Sequence, residues 1–250
     1  RRLAIYGIHY HVGVRSAEKC VATVNSLTTY LPVFLALSAS SPFWHGYDTG
    51  LASARTKIFE GLPTAGLPPR LTSWVDFEAF LDALIRAEAI ESVREVWWDV
   101  RPHPDFGTVE LRMCDGMPTM TEICGVASLA QCLVAWMDAQ IDNGVPLPGV
   151  REWGVRQNKW LAARHGLDAQ LIVDDNGNRK PARQIVDELV ELLSGTAARL
   201  GCSDELASLS DLVRTGNSAE RQRRIVAQGG TLVDVTAALQ QELLTDAPVG

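Results

Sequence analysis

GIHYHVGV, residues 7–14, decides how the rest of the chain is read. In an extended strand, successive side chains point to opposite faces. Ile8, Tyr10, Val12 and Val14 then share one face, and His9, His11 and Gly13 share the other. The first set suits a core. The second carries two of the chain's five histidines beside a glycine, which leaves room for a ligand to approach the backbone.

Two later stretches repeat the alternation. In GTVELRMCD, residues 107–115, Val109, Leu111 and Met113 oppose Thr108, Glu110 and Arg112. In EVWWDVRPHP, residues 95–104, Val96, Trp98 and Val100 oppose Trp97, Asp99 and Arg101. Three polar flanks lining one concave sheet would bring His9, His11, Glu110, Arg112 and Arg101 together. Carboxylate with imidazole suits Mg²⁺ or Mn²⁺, and arginines beside them suit phosphate oxygens. A sheet whose polar face is merely solvated gives the same alternation, so the pattern alone leaves both readings open.

Around these strands the spacing of apolar residues predicts helices. They fall at 16–38 (with Pro32 as a bend or break), 74–90, about 119–141, 151–165, 181–193, 203–214 and 217–245. In 74–90, Phe77, Phe80, Leu81, Leu84 and Ile85 are expected to face inward. Strands are expected at 3–14, 93–102 and 107–115, and a turn at DDNGN, 174–178. Clustered strands followed by helices define an α+β class: an antiparallel sheet with a polar, concave face and helices packed on the other. Residues 1–250 read as one catalytic domain, of which 151–250 is a mainly helical portion. Residues 40–70 exceed ordinary loop length, yet contain Phe43, Trp44, Tyr47 and Phe59. An ordered binding segment is expected there.

The net charge of −7 and the lack of a basic run argue against nucleic acid as a partner. No uninterrupted apolar run approaches the ~18 residues of a membrane span. Five cysteines without a C-x-x-C pair read as reduced core residues of a cytoplasmic protein. The opening RRLAIYGIHY, with no methionine and almost nothing before the first strand, reads as part of a longer polypeptide.

GIHYHVGV, ALSASSPFWHGYDTGLASARTKIFEGLP and WWDVRPHPDFGTVELRMCD together resemble the ATP-dependent carboxylate–amine ligases of the second-type glutamate–cysteine ligase family. QNKWLAARHGLDAQL and GNSAERQRR resemble that family's later blocks. GIHYH and VELR also show a more distant similarity to the G-[MI]-H-x-H and [IV]-E-x-R patterns of glutamine synthetase. The resemblance implies a glutamine synthetase-like catalytic domain in which His9 and Glu110 hold a metal and His11 meets ATP phosphate. It gives Arg112 a part in neutralising the transferring phosphate, and it places Arg55 in a substrate- and phosphate-binding segment. Arg101 joins His11 as a nucleotide-binding candidate on the strand pattern. Asn158, Arg164 and Arg221 fall in family-like blocks but read as packing and hydrogen-bonding residues.

The implied activity joins the side-chain carboxylate of glutamate to an amine such as cysteine through an acyl phosphate, with ATP and Mg²⁺ or Mn²⁺. The implied setting is thiol biosynthesis of the glutathione kind, with homodimerisation possible. Two rivals are a guanidino- or phosphagen-type phosphotransferase and a non-catalytic nucleotide-binding remnant. The family's Glu-rich N-terminal strand has no counterpart here, so the 250 residues alone are expected to be inactive or very weak.

Overall fold

The computed structural model describes residues 5–249. The chain runs β1 (Gly7–Gly13), α1 (Ala17–Leu27), α2 (Leu31–Ser38), a hairpin of β2 (Phe43–Trp44) and β3 (Tyr47–Asp48), α3 (Ala54–Phe59) and α4 (Trp74–Arg86). It continues as β4 (Val100–His103), β5 (Thr108–Asp115), α5 (Met120–Asp142), α6 (Glu152–His165), β6 (Gln170–Ile172) and β7 (Arg179–Pro181). Four helices close it: α7 (Ala182–Leu200), α8 (Ser203–Thr215), α9 (Ser218–Ala227) and α10 (Leu232–Thr245). This is the expected α+β class.

β5 is the middle strand of an antiparallel sheet ordered β1-β5-β4. Its register sets up everything that follows: Glu110 lies opposite His11 on one side and Arg101 on the other. Ile8 pairs with Cys114 but Tyr10 with Leu111. Arg112 and Met113 therefore share the place opposite His9, a bulge that adds one residue to β5. The apolar face, with Tyr10, Val100, Val109 and Leu111, packs into the main core beside Val24, Phe34, Leu129 and Leu133. Tyr10 also donates its hydroxyl proton to the Ile123 carbonyl at the start of α5. Among the described residues α5 is the one single helix long and apolar enough to cross a membrane, and 56% of its apolar window is buried within the fold.

Several expected elements differ. The 16–38 helix breaks into α1 and α2 at a 62° bend, with Pro32 in the first turn of α2, where its missing N–H costs no helical bond. The 217–245 helix divides at Gly229-Gly230, Gly229 having φ +92°, a left-handed conformation that favours glycine. The 93–102 strand shrinks to β4, preceded by a 3₁₀ turn at Val93–Glu95, while Val96 and Trp98 join Val21, Leu71, Phe77 and Ile90 in a second core cluster. α4 stops at Arg86, and Ile85 is 44% exposed rather than inward. The turn at 174–178 links β6 and β7, a hairpin the periodicity does not predict. α7 runs on to Leu200. Cys124 is exposed rather than in the core, while Cys20, Cys114 and Cys132 are buried and all five cysteines are free. Residues 40–70 are ordered as the β2–β3 hairpin and α3, whose first turn is capped by the Ser53 hydroxyl accepting from the Thr56 N–H. Residues 3–4 of the first expected strand lie outside the described residues.

Candidate active site

Glu110 is the centre of the polar face, only 2% exposed. Its Oε1 lies 3.1 Å from His9 Nδ1 and 3.6 Å from His11 Nε2. Arg101 donates from Nε to Oε2 at 2.7 Å, and Arg112 donates from Nη1 to Oε1. Five of the six candidates thus meet around one carboxylate. Burial pushes that carboxyl up, but the His9 hydrogen bond and the charges of Arg112 and Arg101 more than reverse this and hold it well below the ordinary carboxylate range. It is an anion at neutral pH. With Nδ1–H of His9 directed at Glu110, the Nε2 lone pair of His9 is left for a ligand.

His11 sits at the rim. Its Nδ1 is 3.0 Å from Thr108 Oγ1, and its ring lies edge-on to His103 at 5.4 Å. Burial lowers its pKa, and Glu110's opposing pull does not restore it. The ring is therefore neutral at pH 7, with one nitrogen able to donate and one to accept. Arg101 has a second duty. Its Nη1 donates to the carbonyls of Val93 and Val96. Those groups are satisfied by a side chain instead of a neighbouring strand, which is why 93–96 turns rather than extending.

Arg55 does not join this group. It lies at the end of the same face, 5% exposed, donating to the backbone carbonyls of Met113 and Arg112, with Asp115 Oδ1 at 3.8 Å. Its guanidinium fills the space beside Gly7, where an added Cβ would collide with Nη2. It also borders a cavity of about 510 Å³ shared with Ser40, Trp44, Asp115 and Gln222.

Two neighbours went unnoticed in the sequence. Lys159 of α6 is buried and bridges Asp99 to Glu60 at the end of α3, with 2.7 Å to Glu60 Oε1. Asp99 was visible on the polar register of its stretch, but nothing local announces a lysine 60 residues away. His103 is 4% exposed and stacks on Phe106 at 4.4 Å, with Nδ1 buried and unpartnered. The three residues without assigned roles are packing residues. Asn158 pairs both amide atoms with the Ile172 backbone, Arg221 is clamped between Glu122 and Glu242, and Arg164 donates to the Gly50 carbonyl.

A divalent cation finds only part of a shell here. Among the described residues, no group of three or more His, Cys, Asp or Glu side chains is arranged to hold a metal. Mg²⁺ calls for about six ligands, mostly oxygen, and the basin offers His9 and a Glu110 carboxylate already engaged by two arginines. The pair fits one edge of a coordination shell.

Known proteins share this architecture. A glutamate–cysteine ligase of Francisella tularensis solved with AMP superposes with a TM-score of 0.62 at 12% identity, covering 92% of this chain and 59% of that one. The Pup ligase PafA of the prokaryotic ubiquitin-like modification pathway, solved with ADP, superposes at 0.53 and 13% identity, covering 89% and 49%. In sequence, proteins provisionally named glutamate–cysteine ligase 2-1 from Frankia casuarinae and glutamate–cysteine ligase 2 from Thermobifida fusca are 55% and 51% identical. The chain matches them over 100% and 99% of its own length but spans 65% and 62% of theirs. The model of glutamate-cysteine ligase family 2 matches residues 1–238. The chain belongs to the glutamate–cysteine ligase family 2.

Proposed function

We propose that this chain is the larger part of an ATP-dependent ligase that joins the side-chain carboxylate of glutamate to an amine such as cysteine. The observation that carries the reading is one buried carboxylate, that of Glu110, approached by two imidazoles and two guanidiniums on one sheet face. The nucleotides in the two structural neighbours support ATP as the third substrate.

A carboxylate does not acylate an amine in water, because oxide is a poor leaving group. Attack of the glutamate side-chain oxygen on the γ-phosphorus, with cleavage of the bond to ADP, gives an acyl phosphate. The amine nitrogen then attacks the acyl carbon and inorganic phosphate leaves. Arg112 neutralises charge that accumulates on the phosphoryl oxygens, a preorganised electrostatic contribution. Neutral His11 donates a hydrogen bond to a phosphate oxygen without offering a competing carboxylate. Arg101 keeps Glu110 in place and adds positive charge beside the nucleotide. Arg55, bordering the cavity at the end of the face, is the candidate for the substrate carboxylate. Residues 40–70, which meet the sheet at its Arg55 end, are the candidate cover that would keep water from the acyl phosphate.

A divalent cation, when bound, supplies charge neutralisation on the phosphate oxygens. His9 Nε2 and Glu110 are the residues that would hold it. Since they supply so few donors, we expect the 250 residues alone to turn over weakly or not at all. Full catalysis then requires the part of the relatives' length that this chain does not span.

The test measures ADP with ATP, Mg²⁺, glutamate and cysteine, using the chain alone and the chain supplied with the remaining third of a relative. The reading expects ADP only in the second case and only with both amino acids present. A stable phosphorylated product without amide would identify a phosphotransferase instead. Nucleotide binding without turnover in either case would identify a remnant.

A further inference from the structure

Cys132 and Cys202 lie far from the polar face and have no part in the proposed chemistry. Cys132 is fully buried on α5, and Cys202 is half-buried in the elbow between α7 and α8. Their sulfurs are 3.6 Å apart across a separation of 70 residues. A disulfide needs an S–S bond of about 2.05 Å, so the sulfurs must close by about 1.5 Å.

The elbow holds the Cys202 side chain against α5. Gly201 adopts φ +72° to end α7, and the Cys202 N–H donates to the Ala197 carbonyl. The Cys202 carbonyl accepts from Leu206 N–H at the start of α8, while its side chain makes no capping bond. The backbone of Cys202 is anchored, and its Sγ already rests against Cys132 Sγ on α5. Burial and the neighbouring Cys202 sulfur push the Cys132 thiol up to about 12, a rise that the charge of Arg199, one turn before the elbow, only partly opposes, so Cys132 suits the second, resolving step rather than the first attack. The other cysteines show no such thiol pair: the Cys114 thiol donates to Met113 Sδ at 3.7 Å, Cys20 is buried, and Cys124 is exposed.

We propose that Cys132 and Cys202 form a dithiol–disulfide site that a low-molecular-weight disulfide oxidises. The Cys202 thiolate, the more accessible of the two, attacks one sulfur of the small disulfide, breaks its S–S bond and releases one small thiolate. The Cys132 thiolate then attacks Cys202 Sγ in the mixed disulfide and releases the second. The protein loses two protons and two electrons, and the small disulfide is reduced to two thiols. The bond would tie α5, which underlies β1, to the α7–α8 elbow.

The experiment exposes the folded chain to oxidised dithiothreitol over a series of ratios to the reduced form. Intact mass after alkylation and peptide mapping report which thiols are lost. The inference expects paired loss of Cys132 and Cys202 as one linked peptide, a higher melting temperature for the oxidised chain, and full reversal by reduced dithiothreitol. Cys132→Ser and Cys202→Ser should each abolish the linkage, whereas Cys124→Ser should leave it intact. No linkage at any ratio in the folded chain, or a linkage that includes Cys124, would overturn it.

Discussion

Glu110 and His11 face each other across neighbouring strands, and on its opposite side Glu110 faces Arg101, so a single register fixes a carboxylate between an imidazole and a guanidinium. The bulge at Arg112 and Met113 then brings a second guanidinium and His9 to the same oxygen. The consequences of that arrangement can be measured residue by residue.

Replacing Glu110 with Gln keeps the shape and removes the charge. Two buried guanidiniums then lose their counter-ion, a change that costs about 3 kcal/mol in comparable buried pairs. Urea unfolding should show a lower midpoint, and metal-dependent nucleotide binding should be lost. A variant as stable as the parent would mean that the Arg101–Glu110–Arg112 group is not assembled as described.

Acid should weaken the fold in two stages. The folded pKa of His11 is lowered, so the folded chain binds fewer protons there than the unfolded chain, and stability falls once pH drops below about 6.5. Glu110 is also lowered, so its contribution is fully present above its unfolded value of about 4.5 and is lost as pH falls toward the folded one. Urea midpoints should hold steady from pH 8 to about pH 7 and decline from there toward pH 3, first through His11 and then through Glu110. His11→Asn should remove the part of the decline between pH 7 and pH 5 and leave the steeper part below it.

His9 and His11 should separate by function. His9→Ala should weaken Mn²⁺-dependent nucleotide binding by about tenfold or more, the scale seen when a metal ligand or its support is lost. His11→Ala should lower nucleotide affinity with less change in its metal dependence. Calorimetry with and without Mn²⁺ distinguishes them, and the opposite order would reverse the assigned roles.

Gly7→Ala should act through Arg55. The new methyl group would occupy the guanidinium's place, forcing the side chain from the Met113 and Arg112 carbonyls. A loss of about 1–3 kcal/mol is expected, as for other overpacked sites. Proteolysis near α3 should also become faster.

Arg221→Met tests a structural role remote from the basin. It leaves Glu122 and Glu242 buried without their cation, so a destabilisation of about 3 kcal/mol or more is expected. Mn²⁺–nucleotide affinity of the folded variant should stay at the parental level.

The polar face was legible because a period of two assigns His9, His11, Glu110, Arg112 and Arg101 to one side wherever the backbone is extended. Which of them touch was not legible. Contact depends on strand order, on register and on an inserted residue at Arg112–Met113, none of which leaves a local signature. The failure at 93–96 has the same origin, since the carbonyls there are satisfied by Arg101, a side chain five to eight residues onward. Lys159 and Asp99 were unreadable as a pair because tertiary packing alone brings α6 to the sheet. The break at Gly229-Gly230, by contrast, was written in a dipeptide that marks turns.

Mn²⁺ with a non-hydrolysable ATP analogue, followed in the imidazole proton signals, reads the basin most directly, because a paramagnetic ion broadens nearby nuclei. His9, His11 and the adjoining His103 should broaden together at low Mn²⁺, while the exposed His45 and His165 stay sharp. Equal broadening of all five rings, or selective broadening of His45 or His165, would contradict a shared cation and nucleotide site at Glu110.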